Sequence, residues 1–254
     1  MNTLNEKLAL LQAKIKQEKP VTIMIMGLGS VGLYLFDYLV SLGDPGLHLV
    51  VTGRSREKLL TDVNIVRTAA AIRGCLKSKI DIEGNCDLED VGSVCAVIKK
   101  YSPDFIVNSS RVYSGLKYGS ISWHNLRAYG IWAPLSVRYA KNIMEAYEMA
   151  GSRAITINTS YSDAVIPWLK SVGKAFFDFG SGNLNHLIPR IRFYVAEKWG
   201  IDDLNAIDVT LAASHFHDVV ISKERHSDGQ MMLLDIKYQG KALEFEQEEV
   251  FKAC

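Results

Sequence analysis

Between Val21 and Gly43 the chain passes from VTIMIM through GLGSVG to LYLFDYLVSLG, and no other stretch limits its fold so severely. Six apolar or β-branched residues without a charge read as a buried strand. Gly27, Gly29 and Gly32 follow at once in G-x-G-x-x-G spacing, and Leu33, Phe36, Leu39, Val40 and Leu42 then recur at helical intervals up to Gly43. In such a strand, turn and helix the first glycine permits the turn, the second admits a diphosphate to the backbone, and the third lets helix and strand pack closely. The unpaired N–H groups and positive dipole end of the helix then face the phosphates. Gly27, Leu28, Gly29, Ser30, Val31 and Gly32 are therefore expected to hold a dinucleotide, the alternative being a glycine-rich turn that binds nothing.

A second strand, LHLVVTG over residues 47 to 53, follows an Asp-Pro-Gly turn, and its tip decides between nicotinamide coenzymes. A carboxylate there would bond the adenosine ribose hydroxyls of NAD and repel the 2′-phosphate of NADP. Here the tip reads Thr52, Gly53, Arg54, Ser55 and Arg56, with no carboxylate before Glu57. Two guanidiniums and two hydroxyls suit a phosphate monoester, so NADP is favoured over NAD. The other reading is a solvated arginine pair opening the next helix.

With 254 residues, 48% of them hydrophobic, the chain can build one large α/β domain and a smaller appendage. At the N-terminus Thr3 and Glu6 form a capping box, and Leu4, Leu8, Leu11 and Ile15 share one face of a helix that meets the sheet edge or a second subunit. Residues 56 to 73 and Asp87 to Tyr101 read as helices, and Phe105 to Val107 as the fourth strand. That strand ends in Asn108, Ser109, Ser110 and Arg111, at the sheet edge where ligands lie; small polar groups suit a nicotinamide ribose, and Arg111 could meet an anionic substrate. Residues 112 to 122 suggest a loop over the site, and Pro134 kinks or starts the helix that runs to Ala150. AITIN then ends at Asn158, again at the ligand edge, and a helix from Asp163 to Ser171 precedes a short strand at Phe176 to Phe179. Beyond Gly200 the pattern changes to strands joined by tight turns. The expected architecture is a Rossmann-type doubly wound parallel sheet over residues 1–200, with a small antiparallel, β-rich cap over 201–254.

The segment GSGNLNHLIPRIRFYVAEKWGI, from Gly180 to Ile201, resembles the lactate and malate dehydrogenases, in which Gly-Ser-Gly precedes an arginine-bearing helix ending in Ala-Glu-Lys-Leu-Gly-Val. The glycine motif, NTSYSDAV around Asn158, and ASHFHDVVI from Ala213 to Ile221 stand in the same order as their counterparts in that family. The Thr-Gly-Arg-Ser tip looks like the NADP-using malate dehydrogenases. What the resemblance implies is hydride transfer, with His215 as the proton-transferring histidine, Arg190 as the clamp on a substrate carboxylate, and Asn158 against cofactor and substrate. Histidine titrates near working pH and a guanidinium offers a carboxylate two parallel bonds, so the chemistry is consistent. Leu187 stands where the family has the aspartate that orients the histidine, and the family's loop arginines have no clear match unless Arg111 serves.

Other readings stay open. DLEDVGSVCAVIKKYSPDFIVNSS is similar to extended short-chain and saccharopine-dehydrogenase-like reductases, and Tyr113 with Lys117 gives a Tyr-x-x-x-Lys pair, although in the loop after the fourth strand. His215, His217 and Asp218 could meet a metal, but without further ligands none is expected. A protein that binds NADP(H) without turnover, as a sensor or assembly subunit, is the alternative to an enzyme. The net charge of +1 supplies no long-range field, which points away from nucleic acid and membrane surfaces, and with Arg190 as anchor the substrate is expected to be small and anionic. Without an apolar leader or membrane-length run, and with Cys75, Cys86, Cys95 and Cys254 sparse and unpaired in spacing, the chain is expected to be cytoplasmic and reduced. A homodimer or higher homo-oligomer is expected.

Overall fold

A computed structural model describes residues 3–112, 132–182, 187–213 and 232–253. Six parallel strands form the larger sheet: β1 (Val21–Met26), β2 (Leu47–Thr52), β3 (Lys79–Glu83), β4 (Phe105–Asn108), β5 (Ile155–Asn158) and β6 (Phe179–Gly180). Their order is β3-β2-β1-β4-β5-β6. The chain therefore winds outward from β1 to β3, returns to lay β4 on the other side of β1, and winds outward again. The reversal opens a crevice at the carboxyl ends of β1 and β4, where doubly wound sheets bind their ligands. The register sets Met26 beside both Thr52 and Asn108, and Asn108 beside Asn158.

The period of two in VTIMIM divides the core. Ile25, with Leu49 and Val51, packs under α2 (Ser30–Ser41) and α3 (Arg56–Ile72) through Phe36, Val40, Leu59, Val63 and Val66. Met24 and Met26 face the opposite layer, where Val94, Ile98, Ile143, Met144 and Leu169 come from α4 (Val91–Tyr101), α5 (Trp132–Met149) and α6 (Ser162–Ser171). Pro134 lies in the first turn of α5, where its missing N–H would have had no helical partner. The final strand of this sheet is Phe179–Gly180, shorter and later than the Phe176–Phe179 expected, because just before it Asp178 meets Thr156 of β5 through side-chain bonds in place of backbone ladder bonds. The N-terminal helix α1 (Leu4–Lys16) carries the expected capping box, Thr3 and Glu6 each bonding the other's backbone N–H.

A second compact unit comprises Ser181–Cys254. It holds α7 (Leu187–Trp199), a 3-10 turn at Leu204–Ala206, and the antiparallel strands β7 (Ile207–Ala213), β8 (Met232–Tyr238) and β9 (Lys241–Ala242), followed by α8 (Gln247–Ala253). The antiparallel texture is as the sequence reads, but the unit begins twenty residues before the expected boundary at 200/201. The reason is packing: Leu187, Ile191 and Val195 of α7 share a core with Ile207, Leu234, Ile236, Val250 and Phe251. Among the described residues no helix is long and apolar enough to cross a membrane.

Candidate functional site

The crevice at the carboxyl ends of β1, β2 and β4 holds a cavity of about 470 Å³, a size suited to a small ligand or part of a coenzyme. Its floor is built by the glycine turn. Gly27 adopts φ +91°, and a methyl group there would lie 2.9 Å from the Ser110 Cα. At Gly32 a Cβ would meet the Gly27 carbonyl oxygen at 2.2 Å and Ser109 Oγ at 2.5 Å, so only glycine lets α2 approach the strand. Gly29 differs from both. The nearest atom to a Cβ there is the Ser109 carbonyl oxygen at 4.0 Å, which leaves open space above the backbone where a diphosphate would need it. Gly29 caps α2, and no side chain among the described residues bonds the first turn, so its amides face the cavity open to a ligand.

Strand ends are laced around this floor. Gly27 N–H donates to Thr52 O at 3.2 Å, Gly53 N–H to Glu83 O at 3.1 Å, and Cys86 N–H to Gly53 O at 3.2 Å. Ser109 N–H donates to Met26 O at 3.0 Å, and its hydroxyl to Gly27 O at 2.6 Å.

Of the residues expected to hold a coenzyme, Gly27, Leu28, Gly29, Ser30, Val31, Thr52, Gly53, Arg54, Ser55, Ser109 and Ser110 line the cavity, and Arg111 stands exposed at its rim. Gly32 lies behind the wall. Asn108 and Asn158 are fully buried and do not line it. Asn108 Nδ2 donates to Asn158 Oδ1 at 2.9 Å, Asn158 Nδ2 to Ser160 O at 2.9 Å, and Ser110 Oγ to Asn108 Oδ1 at 2.5 Å. Both amides are thus spent on tying β4 to β5, which places Ser110 and Ser160 at the wall in their stead. Arg56 also turns away, its Nη1 donating to Ile82 O at 2.8 Å.

The cavity gains Lys58, Leu59, Asp62, Cys86, Leu88 and Tyr139, which the sequence does not single out. Lys58 lies one turn into α3 from the Ser55 cap, so helical spacing could have found it; Tyr139 comes from α5, and nothing local announces it. Burial pushes the Cys86 thiol up to about 11, an effect that Glu83 and Asp87 reinforce and a bond with Thr52 opposes. Burial likewise raises the Tyr139 phenol, against the opposing pull of Arg54.

Arg190 lies on α7, in the second unit, with its side chain exposed. In the same helix Arg192 has a buried Nε with no partner among the described residues. Leu187, at the position of the resembling family's aspartate, is 3% exposed within the apolar core of that unit. His215, His217 and Asp218 fall outside the described residues, as do Tyr113 and Lys117. No cluster of three metal-ligating side chains occurs among the described residues.

No family model matches the chain, and no curated protein does. Solved structures do. Malate dehydrogenase from Picrophilus torridus, in its apo form, aligns with a TM-score of 0.60 at 15% identity over 92% of this chain and 64% of its own. Lactate dehydrogenase from Eimeria maxima, with NADH and oxamate, gives 0.57 at 12% over 88% and 59%. That from Cryptosporidium parvum, with lactic acid and nicotinamide adenine dinucleotide, gives 0.55 at 14% over 88% and 60%. The chain thus spans about three fifths of the length of these structures. The likeness shows a shared fold: the parallel six-stranded sheet with a small antiparallel sheet after it.

Proposed function

We propose that the chain is an NADP-dependent oxidoreductase that transfers a hydride to or from a small carbonyl, hydroxy-acid or imine substrate, most suitably an anionic one. One observation carries this reading: the cavity joins the open amides of the glycine turn to a β2 tip that presents Arg54 and no carboxylate. Dehydrogenases with the same fold, one crystallised with NADH and oxamate, support a nicotinamide coenzyme and hydride transfer, and the β2 tip supports NADP. A bound nicotinamide would supply or accept the hydride. In this proposal His215 gives a proton to, or takes one from, the substrate oxygen or nitrogen, Arg190 anchors the substrate, and Arg111 adds positive charge beside it.

A second reading, coenzyme binding without turnover, is favoured by Leu187. That residue is packed with Ile191 and Val195, so the position corresponding to a histidine-orienting aspartate is part of an apolar core.

Titration with NADPH and NADH, followed by assays on oxo acids, aldehydes and imines, tests both readings. Arg54→Ala is expected to weaken NADPH by roughly 10- to 100-fold, the worth of a lost charge-assisted bond, and NADH far less. His215→Ala is expected to abolish turnover while preserving NADPH affinity. A parent protein that binds NADPH and turns over none of these substrates favours the second reading; one that binds neither coenzyme removes both.

A further inference from the structure

Three cationic side chains follow β2 within six residues, Arg54, Arg56 and Lys58, and the structure separates them. Arg54 and Lys58 line the cavity; Arg56 does not. The Arg56 guanidinium is held at Ile82 O, 2.8 Å away, and its stem occupies the space beside Gly84, where a Cβ would fall 2.2 Å from the Arg56 Cβ. Arg56 therefore secures the start of α3 against the end of β3.

The two remaining cations are exposed, and neither has an ion pair or hydrogen bond from its side chain among the described residues. Ser55 lies between them in sequence, its Oγ accepting from the Lys58 N–H at 3.3 Å, which leaves the hydroxyl hydrogen to be donated elsewhere. Glu57, the first carboxylate after the strand tip, does not line the cavity. Asp62 does, one helical turn beyond Lys58, so the negative charge lies on the far side of the lysine from the tip.

We infer that Lys58, together with Arg54 and the Ser55 hydroxyl, seats the monoester phosphate on the adenosine 2′-oxygen of the coenzyme, and that Arg56 takes no part. This rests on the NADP reading above and assigns its selectivity to residues. A phosphate dianion presents three oxygens and roughly two negative charges near neutral pH. A planar guanidinium can engage two of those oxygens in parallel, and an ammonium on a flexible stem supplies a point charge to the third.

The parent, Lys58→Ala and Arg56→Gln are titrated with NADPH, NADH and adenosine 2′,5′-bisphosphate, with thermal unfolding confirming that each variant is folded. Lys58→Ala is expected to weaken NADPH and the bisphosphate by about 5- to 50-fold while NADH moves less than about twofold. Arg56→Gln, which keeps an amide donor toward Ile82, is expected to leave the NADPH-to-NADH ratio unchanged. Equal loss of both coenzymes in Lys58→Ala, no loss of either, or a selective loss of NADPH in Arg56→Gln would overturn the assignment while the parent still prefers NADPH. A parent that binds neither coenzyme, or prefers NADH, instead overturns the NADP reading and this inference with it.

Discussion

Cys86 shows how position in the site and reactivity can part company. The residue lines the cavity, yet it is fully buried, and burial holds the thiol up at about 11. The thiolate is the nucleophile, so at pH 8 only roughly one molecule in a thousand is poised to react. A brief iodoacetamide pulse followed by peptide mass mapping is expected to mark half-buried Cys75 well before Cys86, and to reach Cys86 only as the pH nears its raised value. The same shift has a stability consequence. An unfolded thiol releases its proton near 9, so between about 9 and 11 the unfolded chain binds fewer protons than the folded one. The contribution of the buried neutral thiol is whole below pH 9 and lost as pH rises toward 11, and Cys86→Ser should flatten that limb of the stability profile.

Helix α1 illustrates what periodicity sees at the level of an element and what it misses. Leu4, Leu8, Leu11 and Ile15 form the apolar face expected to meet the sheet edge or a second subunit; within this chain Leu8 and Ile15 are 37% and 53% exposed, while Lys7 is 1% exposed. The Lys7 ammonium reaches Asp178 at 2.7 Å and lies 5.0 Å from the centre of the Tyr147 ring. Asp178 Oδ2 also accepts from the N–H and hydroxyl of Thr156 on β5, so that one oxygen takes three bonds, and the Lys7 cation offsets the charge of the buried carboxylate. Lys14 makes a similar contact with Asp104 at 2.5 Å. No local pattern could announce a partner 171 residues away. Removing either member, Lys7→Ala or Asp178→Ala, is expected to cost about 3–5 kcal/mol in urea unfolding, and the double variant less than the sum.

Most strands and helices of the larger sheet were legible because short continuous apolar runs alternate with stretches of 3.6-residue period along it, β6 being the exception. The start of the second unit was not, since the apolar stripe of α7 does not say which sheet it will cover. Nor could sequence choose Lys58 over Arg56, a choice set by how α3 is rotated against β3, or foresee that Asn108 and Asn158 would bond each other.

The molecule as a whole consists of two compact units, Met1–Gly180 and Ser181–Cys254, and every described residue lining the cavity belongs to the first. A ligand stabilises the state that binds it, by about 2.7 kcal/mol at a hundred times its dissociation constant. Hydrogen exchange with saturating NADPH is therefore expected to slow amides of β1, β2 and the first turn of α2, and to leave those of β8 unchanged. Equal slowing in β8 would show that both units hold the coenzyme.

The ammonium of Lys7 also bears on the order in which the protein assembles. A nascent chain synthesises α1 early, but the carboxylate that neutralises its buried charge emerges only with residue 178, after five strands of the sheet have been made. Until then, seating the helix would strand a cation in apolar surroundings. Although it is made before the sheet, α1 is thus among the last elements of the larger unit to lock, and it closes that unit only when the unit is nearly complete.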